Sequence, residues 1–222
     1  MSWLKRGYDE LEKKDKEMED RRSNTAYRFW IPSGNTTKII FVDDNPPIIG
    51  EHQLKINGDW KNWHTCPASI DSKDECGYCK AGDRPYSAAF YTIIDMTEWT
   101  DKKGVKHANE KKLFVAKQKT WNKLKMKSRK YKQKEENGLV YVCFDVSRSS
   151  SDASSVGDDF EFVKRYTEQE LKAIATKGDI TPFDYEKILK PKGKEDVMRT
   201  LAKTDMGNDD TDDYQDEEDI KF

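Results

Sequence analysis

No run of apolar residues in this chain approaches the length of a membrane-spanning helix, so no helical span is expected. The opening segment, MSWLKRGYDELEKKDKEMEDRR, lacks the apolar stretch of a secretion signal. Cysteine is scarce as well: four residues, three of them clustered, suit a reducing compartment better than a disulfide scaffold. Together these absences predict a cytoplasmic protein with no membrane partner. Apolar residues are also few, 35% against 37% charged, so part of the chain is expected to remain in water.

What the chain does have is aromatic residues and sharply partitioned charge. Six Trp, ten Tyr and nine Phe are more rings than so polar a protein needs for its core. The formal net charge of -2 hides a strongly basic stretch between Asp101 and Lys134, opposed there only by Asp101 and Glu110. It also hides the acidic ending DMGNDDTDDYQDEEDIKF. The chain reads as a basic body with an acidic tail.

Four regions follow from the pattern. Residues 1–22 read as a charged helical arm with a thin stripe of Leu4, Tyr8, Leu11 and Met18. Residues 23–166 are mainly β, with TAYRFWI, TKIIFVDD, YSAAFYTIIDMTEW, EKKLFVAKQK, GLVYVCFDVSRS and DFEFVKRY as strand candidates. GEHQLKINGDWKNW is expected to be a hairpin turning at Asn57-Gly58, and TWNKLKMKSRKYKQK a basic helix. Residues 167–203 carry short helices: Thr167 with Glu170 forms a capping box, and Pro182 is placed at the first position of a second helix. KEDVMRTLAK is a third, weaker segment. Residues 204–222 are expected to be disordered. The fold class is therefore α+β but mainly β, and a small Greek-key barrel of the OB type suits five or six strands with one late helix.

The sharpest motif is HTCPASIDSKDECGYC. Cys66, Cys76 and Cys79 supply three thiolates, and a tetrahedral zinc needs a fourth ligand. His64 lies two residues before Cys66, and His52 lies on the other arm of the hairpin, so either can close the shell. A closed shell implies a structural ion that does not catalyse. The competing reading, a Cys76–Cys79 redox pair, lacks the βαβ context such dithiols occupy. Cys143, within LVYVCFDV, reads as core.

Cations interleaved with rings suit single-stranded nucleic acid, where lysines track phosphates and aromatic faces stack bases. The candidates are Tyr27, Arg28 and Trp30 in AYRFW, and Arg84, Tyr86, Phe90 and Tyr91 in DRPYSAAFY. Lys111, Lys112, Lys117 and Lys119 follow on the next strand, then Trp121, Lys123, Lys125, Lys127, Arg129, Lys130 and Tyr131 on the basic helix. Alternation sets Tyr86, Phe90 and Ile94 on one strand face and Tyr91 and Ile93 on the other, so one set must be buried.

These motifs resemble the T-even-type phage single-stranded DNA-binding, or helix-destabilising, proteins. The resemblance covers about residues 24–165 and lies in CPASIDSKDECGYC with a histidine upstream in HQLKINGDW, in YSAAFYTIIDM, in AKQKTWNKL and in the acidic tail closing on Phe222. It implies an OB-fold core with an inserted zinc subdomain at about 50–84, and His52 with Cys66, Cys76 and Cys79 as ligands of one structural zinc. It also implies a non-enzymatic protein that coats DNA in replication, recombination and repair, in the host cytoplasm if phage-encoded. Lys5 and Arg6 loosely match the family's basic cooperativity segment, which would mediate self-association on DNA. The tail, with Asp216, Glu217, Glu218, Asp219 and Phe222, would cover the basic groove until DNA displaces it and then recruit replication and recombination proteins.

Other classes stay open at this level. A zinc-containing RNA-binding protein would use the same stacking surfaces. A metal-dependent nuclease would need clustered acids, for which Asp43, Asp44 and Asp95 are available near strand ends. An adaptor working through the arm and tail would leave the central rings and lysines without a role.

Overall fold

The computed structural model describes residues 8, 12, 14, 26–72, 75–100, 104–132 and 138–204. Its strands are β1 (Thr36–Phe41), β2 (Ile48–Ile56), β3 (Asp59–Thr65), β4 (Tyr86–Asp95), β5 (Trp99–Thr100), β6 (Lys106–His107), β7 (Glu110–Lys117), β8 (Val142–Ser147) and β9 (Asp159–Arg165). The helices are short: α1 (Gly77–Lys80), α2 (Gln118–Tyr131), α3 (Glu168–Ile174), α4 (Tyr185–Ile188) and α5 (Lys194–Leu201). The fold is thus mainly β, with antiparallel pairing. No helix among the described residues is long and apolar enough to cross a membrane.

The chain divides into two compact units, Met1–Ile49 with Ser87–Lys190, and Gly50–Tyr86 with Pro191–Phe222. In the first unit the sheet order is β7-β4-β1-β8-β9. The central strands β1, β4 and β8 are buried on both faces, and alternation sorts their side chains into two cores. Ile39, Phe41, Ala89, Tyr91, Ile93, Phe114, Phe144 and Phe160 fill one, with Leu124 of α2 packed among them. Ile40, Val42, Ile94 and Cys143 point the other way and meet Leu171, Ala175 and Ile180. Cys143 is therefore core, as its sequence context implied.

No ladder joins β7 to β9 among the described residues, so the expected closed barrel is not seen. Between those two ends runs the segment expected as a first strand. It makes a single parallel bridge, Arg28 to Leu113. Leu113 N donates to Tyr27 O, Phe29 N donates to Leu113 O, and Ile31 N donates to Ser155 O. Pro32 follows, and without an N–H it cannot extend a ladder.

In the second unit β2 and β3 form the hairpin, turning at Asn57 (φ 52°) and Gly58 (φ 78°). Both central residues take the left-handed conformation that a type I′ turn requires. Leu54, Cys66, Cys76, Tyr78 and Val197 make its core, with Ile56 and Leu201 alongside. The helical segment expected at 167–203 is thus divided. α3 and α4 belong to the first unit, whereas α5 packs on the cysteine-bearing unit.

Two helix starts differ from expectation. Pro182 lies outside α4, because the Asp184 side chain caps the helix by accepting from Lys187 N. α2 begins at Gln118, which makes Lys119 helical and not part of a strand. The Thr167–Glu170 capping box is present in both directions. Of the N-terminal arm only Tyr8, Glu12 and Lys14 are described, all helical. Lys5 and Arg6 lie outside the described residues, as do Asp216, Glu217, Glu218, Asp219 and Phe222 of the tail.

Candidate metal centre and aromatic–basic surface

The hairpin carries His52 on one arm and delivers Cys66 just past the end of the other. Cys76 and Cys79 sit at the start and within the single turn of α1. One ligand atom from each of the four lies within 4.8 Å of every other. Cys66 Sγ is 3.6 Å from Cys79 Sγ, and His52 Nε2 is 3.3 Å from Cys76 Sγ and 3.6 Å from Cys79 Sγ. A tetrahedral ion with bonds of about 2.3 Å to sulfur and about 2.0 Å to nitrogen separates two sulfurs by roughly 3.8 Å and sulfur from nitrogen by roughly 3.5 Å. The four residues therefore fit a tetrahedral metal. Among the described residues this is the only His, Cys, Asp and Glu grouping with such distances.

His52 has a second partner. Its Nδ1 is 2.5 Å from Asp83 Oδ2, which fixes the ring's orientation and turns Nε2 toward the thiols. His64 stands directly across the ladder from His52 but plays another part. Its ring stacks on Tyr78 at 5.0 Å and 23°, and neither nitrogen has a hydrogen-bond partner. Burial pushes its pKa down to about 4, keeping the imidazole neutral. Both rings lie on the same side of the hairpin, but only His52 has a ring nitrogen turned to the thiols.

Three thiols this close resist ionising together. Burial and the neighbouring thiols push Cys79 up to about 12, and burial raises Cys66. Cys76 is opposed by burial too, yet N–H groups of the α1 turn and the nearby His52 bring it below its ordinary value. A divalent cation would stabilise all three thiolates.

The nucleic-acid candidates separate into three groups. Tyr27 (69% exposed) and Trp30 (61%) are open, and Arg84, Lys117, Lys119, Lys125, Arg129 and Lys130 are also at the surface. Phe90 and Tyr91 are buried, contrary to their expected stacking role, since both faces of β4 are covered. Trp121 and Tyr131 are partly buried against the first core. Tyr86 is partly buried, its hydroxyl donating to Glu51 Oε2.

Several lysines are committed to the protein itself. Lys112 pairs with buried Asp95 at 2.6 Å, and Lys111 pairs with Asp179 at 2.5 Å beneath the Phe183 ring. Lys123 Nζ donates to Asp158 O and Lys127 Nζ to Phe160 O, both carbonyls of the β9 edge and its approach. The acids considered for a nuclease are likewise engaged in separate bonds: Asp43 with Tyr185 and Thr92, Asp44 with Ser128 and Leu139, and Asp95 with Lys112 and Thr97.

Sequence reasoning overlooked three exposed rings, Trp60, Trp99 and Phe162. Phe162 stacks on Tyr131 at 4.7 Å, and Trp99 stacks on His107 at 4.2 Å. Alternation alone gave Phe162 no reason to be solvent-facing, and the Trp99–His107 contact joins two strands that five residues separate in the sequence. Compared with known protein families the chain matches none of their models, and no curated protein is significantly similar to it.

Proposed function

We propose that the protein binds single-stranded DNA with little sequence preference and holds one structural zinc ion at His52, Cys66, Cys76 and Cys79. The observation that carries the DNA reading is the pairing of exposed rings with cations around β7. Phe29 and Ile31 enter the core, so alternation turns Arg28 and Trp30 the other way; Arg28, half-exposed, bridges Leu113 of β7, and that strand ends at the exposed Lys117. Lys119, Lys125 and Arg129 continue the exposed basic surface along α2. The sequence of strands β1, β4 and β7, then α2, then β8 and β9, with β1 between β4 and β8, supports reading the sheet as a partly open OB-type barrel.

Zinc is the metal that three thiolates and one imidazole favour, and with four protein ligands its role is to hold the fold. The protein would coat DNA intermediates of replication, recombination and repair without enzymatic activity. Its acidic ending would compete for the basic surface and recruit partner proteins, and its N-terminal arm would support self-association.

Tryptophan fluorescence during titration with oligo(dT), at low and high salt and against duplex competitor, tests the reading. Quenching that weakens with salt and ignores duplex is expected. No quenching, or equal preference for duplex, would overturn it. Tighter binding to oligo(rU) than to oligo(dT) would move the assignment to RNA, and cleavage of labelled DNA in magnesium would move it to a nuclease.

A further inference from the structure

Trp99 is an exposed indole that the fold holds still. It stands opposite His107 in the β5–β6 ribbon, and the two rings lie 4.2 Å apart and within 11° of parallel. Trp99 Nε1 donates to one oxygen of Glu110 at 3.1 Å, and His107 Nδ1 lies 3.0 Å from the other. One carboxylate therefore pins both rings, while the indole stays 44% exposed. An ordered ring with one face covered and surface left open is what a planar ligand requires, because little side-chain entropy remains to be lost on stacking.

The placement of this ring is as informative as its rigidity. Arg28 bridges Leu113, so Phe29 lies beside Phe114, and those rings stack at 5.7 Å. The same register sets Tyr27 beside Lys112, on the face of β7 that also carries Glu110. Lys112 and Glu110 are two residues apart on β7, so Tyr27 and the indole held by Glu110 are set at successive positions of one strand face. Lys112, beside Tyr27, pairs with Asp95, so this strip offers ring faces more than charge.

We propose that Trp99, backed by His107 and Glu110, is a nucleobase-stacking site that works with Tyr27 as a two-ring strip along β7. The inference rests on the single-strand reading above and adds to it a base-contacting position in the β5–β6 ribbon. Glu110 and His107 act as positioning residues, and Trp99 touches the base.

The test compares wild type, Trp99→Ala and Trp99→Phe on oligo(dT) and on an abasic deoxyribose-phosphate strand of equal length. Trp99→Ala is expected to weaken oligo(dT) binding roughly tenfold, Trp99→Phe by about twofold, and neither to change abasic binding. Wild type that binds oligo(dT) while Trp99→Ala loses nothing, or loses equally on the abasic strand, would overturn the stacking site alone. Wild type that ignores oligo(dT) would overturn the single-strand reading itself. Should Trp99→Ala fail to fold by circular dichroism, photocrosslinking of wild type to 5-iodouracil-containing oligo(dT) decides. Attachment to the peptide containing Trp99 supports the site, and attachment only elsewhere overturns it.

Discussion

A γ-methyl of Val197 lies 2.7 Å from the point that a β-carbon on Gly77 would occupy. The glycine of the CGYC knuckle is thus required by a helix that begins more than a hundred residues later in the chain. α5 presses onto the turn carrying two of the four candidate metal ligands, and Cys66 and Cys76 share its apolar core. The candidate metal cluster and α5 form one packed body, and Thr204, just after α5, bridges to Ile56.

Gly77→Ala is accordingly expected to overpack this contact and cost about 1–3 kcal/mol. Val197→Ala in the same chain removes the opposing methyl and should recover much of that loss, although alone it leaves a small cavity. Thermal melts of the two single variants and the double variant check the coupling. Simple additivity would show that α5 is not seated on the knuckle.

One zinc per chain is expected by elemental analysis, and Cys66→Ser, Cys76→Ser or Cys79→Ser should each abolish high-affinity binding. His52→Ala should behave likewise, whereas His64→Phe, which keeps a ring against Tyr78, should retain the metal. Asp83→Asn should weaken affinity by about 10- to 100-fold through a poorly oriented His52. Competition with a chromophoric chelator measures all of these, and loss of zinc in His64→Phe would reverse the ligand assignment.

How much of this was legible in the chain varies with the range of the interaction. Asn57-Gly58, the capping box of Thr167 and Glu170, and the Cys76–Cys79 knuckle are local signals, and each appears where the sequence put it. Interactions that depend on distant chain were not legible. His52 and His64 face each other across the hairpin, so spacing cannot rank them; the packing of Tyr78 and the approach of Asp83 decide. Alternation along β4 showed that its faces differ but not that both are covered, because the covering residues Leu171, Ala175 and Ile180 come from another region. Trp99 and His107 meet only once the β5–β6 ribbon has formed.

The polar cluster where α4 approaches the sheet carries a pH signature. Burial raises the Asp43 carboxyl to about 6, with Asp44 adding like-charge repulsion, while hydrogen bonds from Tyr185 and Thr92 oppose the shift. The folded state therefore binds this proton more tightly than the unfolded chain between pH about 4 and about 6, and over that window the Asp43 contribution to stability falls as pH rises. Above it the ionised group costs about 3 kcal/mol relative to its fully protonated form. Asp43→Asn should melt higher than wild type at pH 7.5, and the advantage should shrink toward pH 5. A difference that does not vary with pH would show that Asp43 ionises normally.

Not every lysine of α2 should matter in the same way. Lys123 and Lys127, one helical turn apart, meet the carbonyls of Asp158 and Phe160, two residues apart on the neighbouring strand edge. The two periods, about 6.0 Å along a helix and about 6.8 Å along a strand, are close enough for both bonds to form. They cover backbone acceptors that an edge strand would otherwise expose. Lys125 and Arg129 are exposed on the same helix. Lys127→Ala should therefore lower stability by about 1 kcal/mol, the usual worth of such a hydrogen bond, or somewhat more. Lys125→Ala and Arg129→Ala should leave the melt unchanged and each reduce the slope of log affinity against log salt by about 0.7 per lost phosphate contact. Melting curves paired with salt titrations on oligo(dT) separate the two roles. A normal melt with a reduced salt slope in Lys127→Ala would show that this lysine leaves the strand edge to hold phosphate.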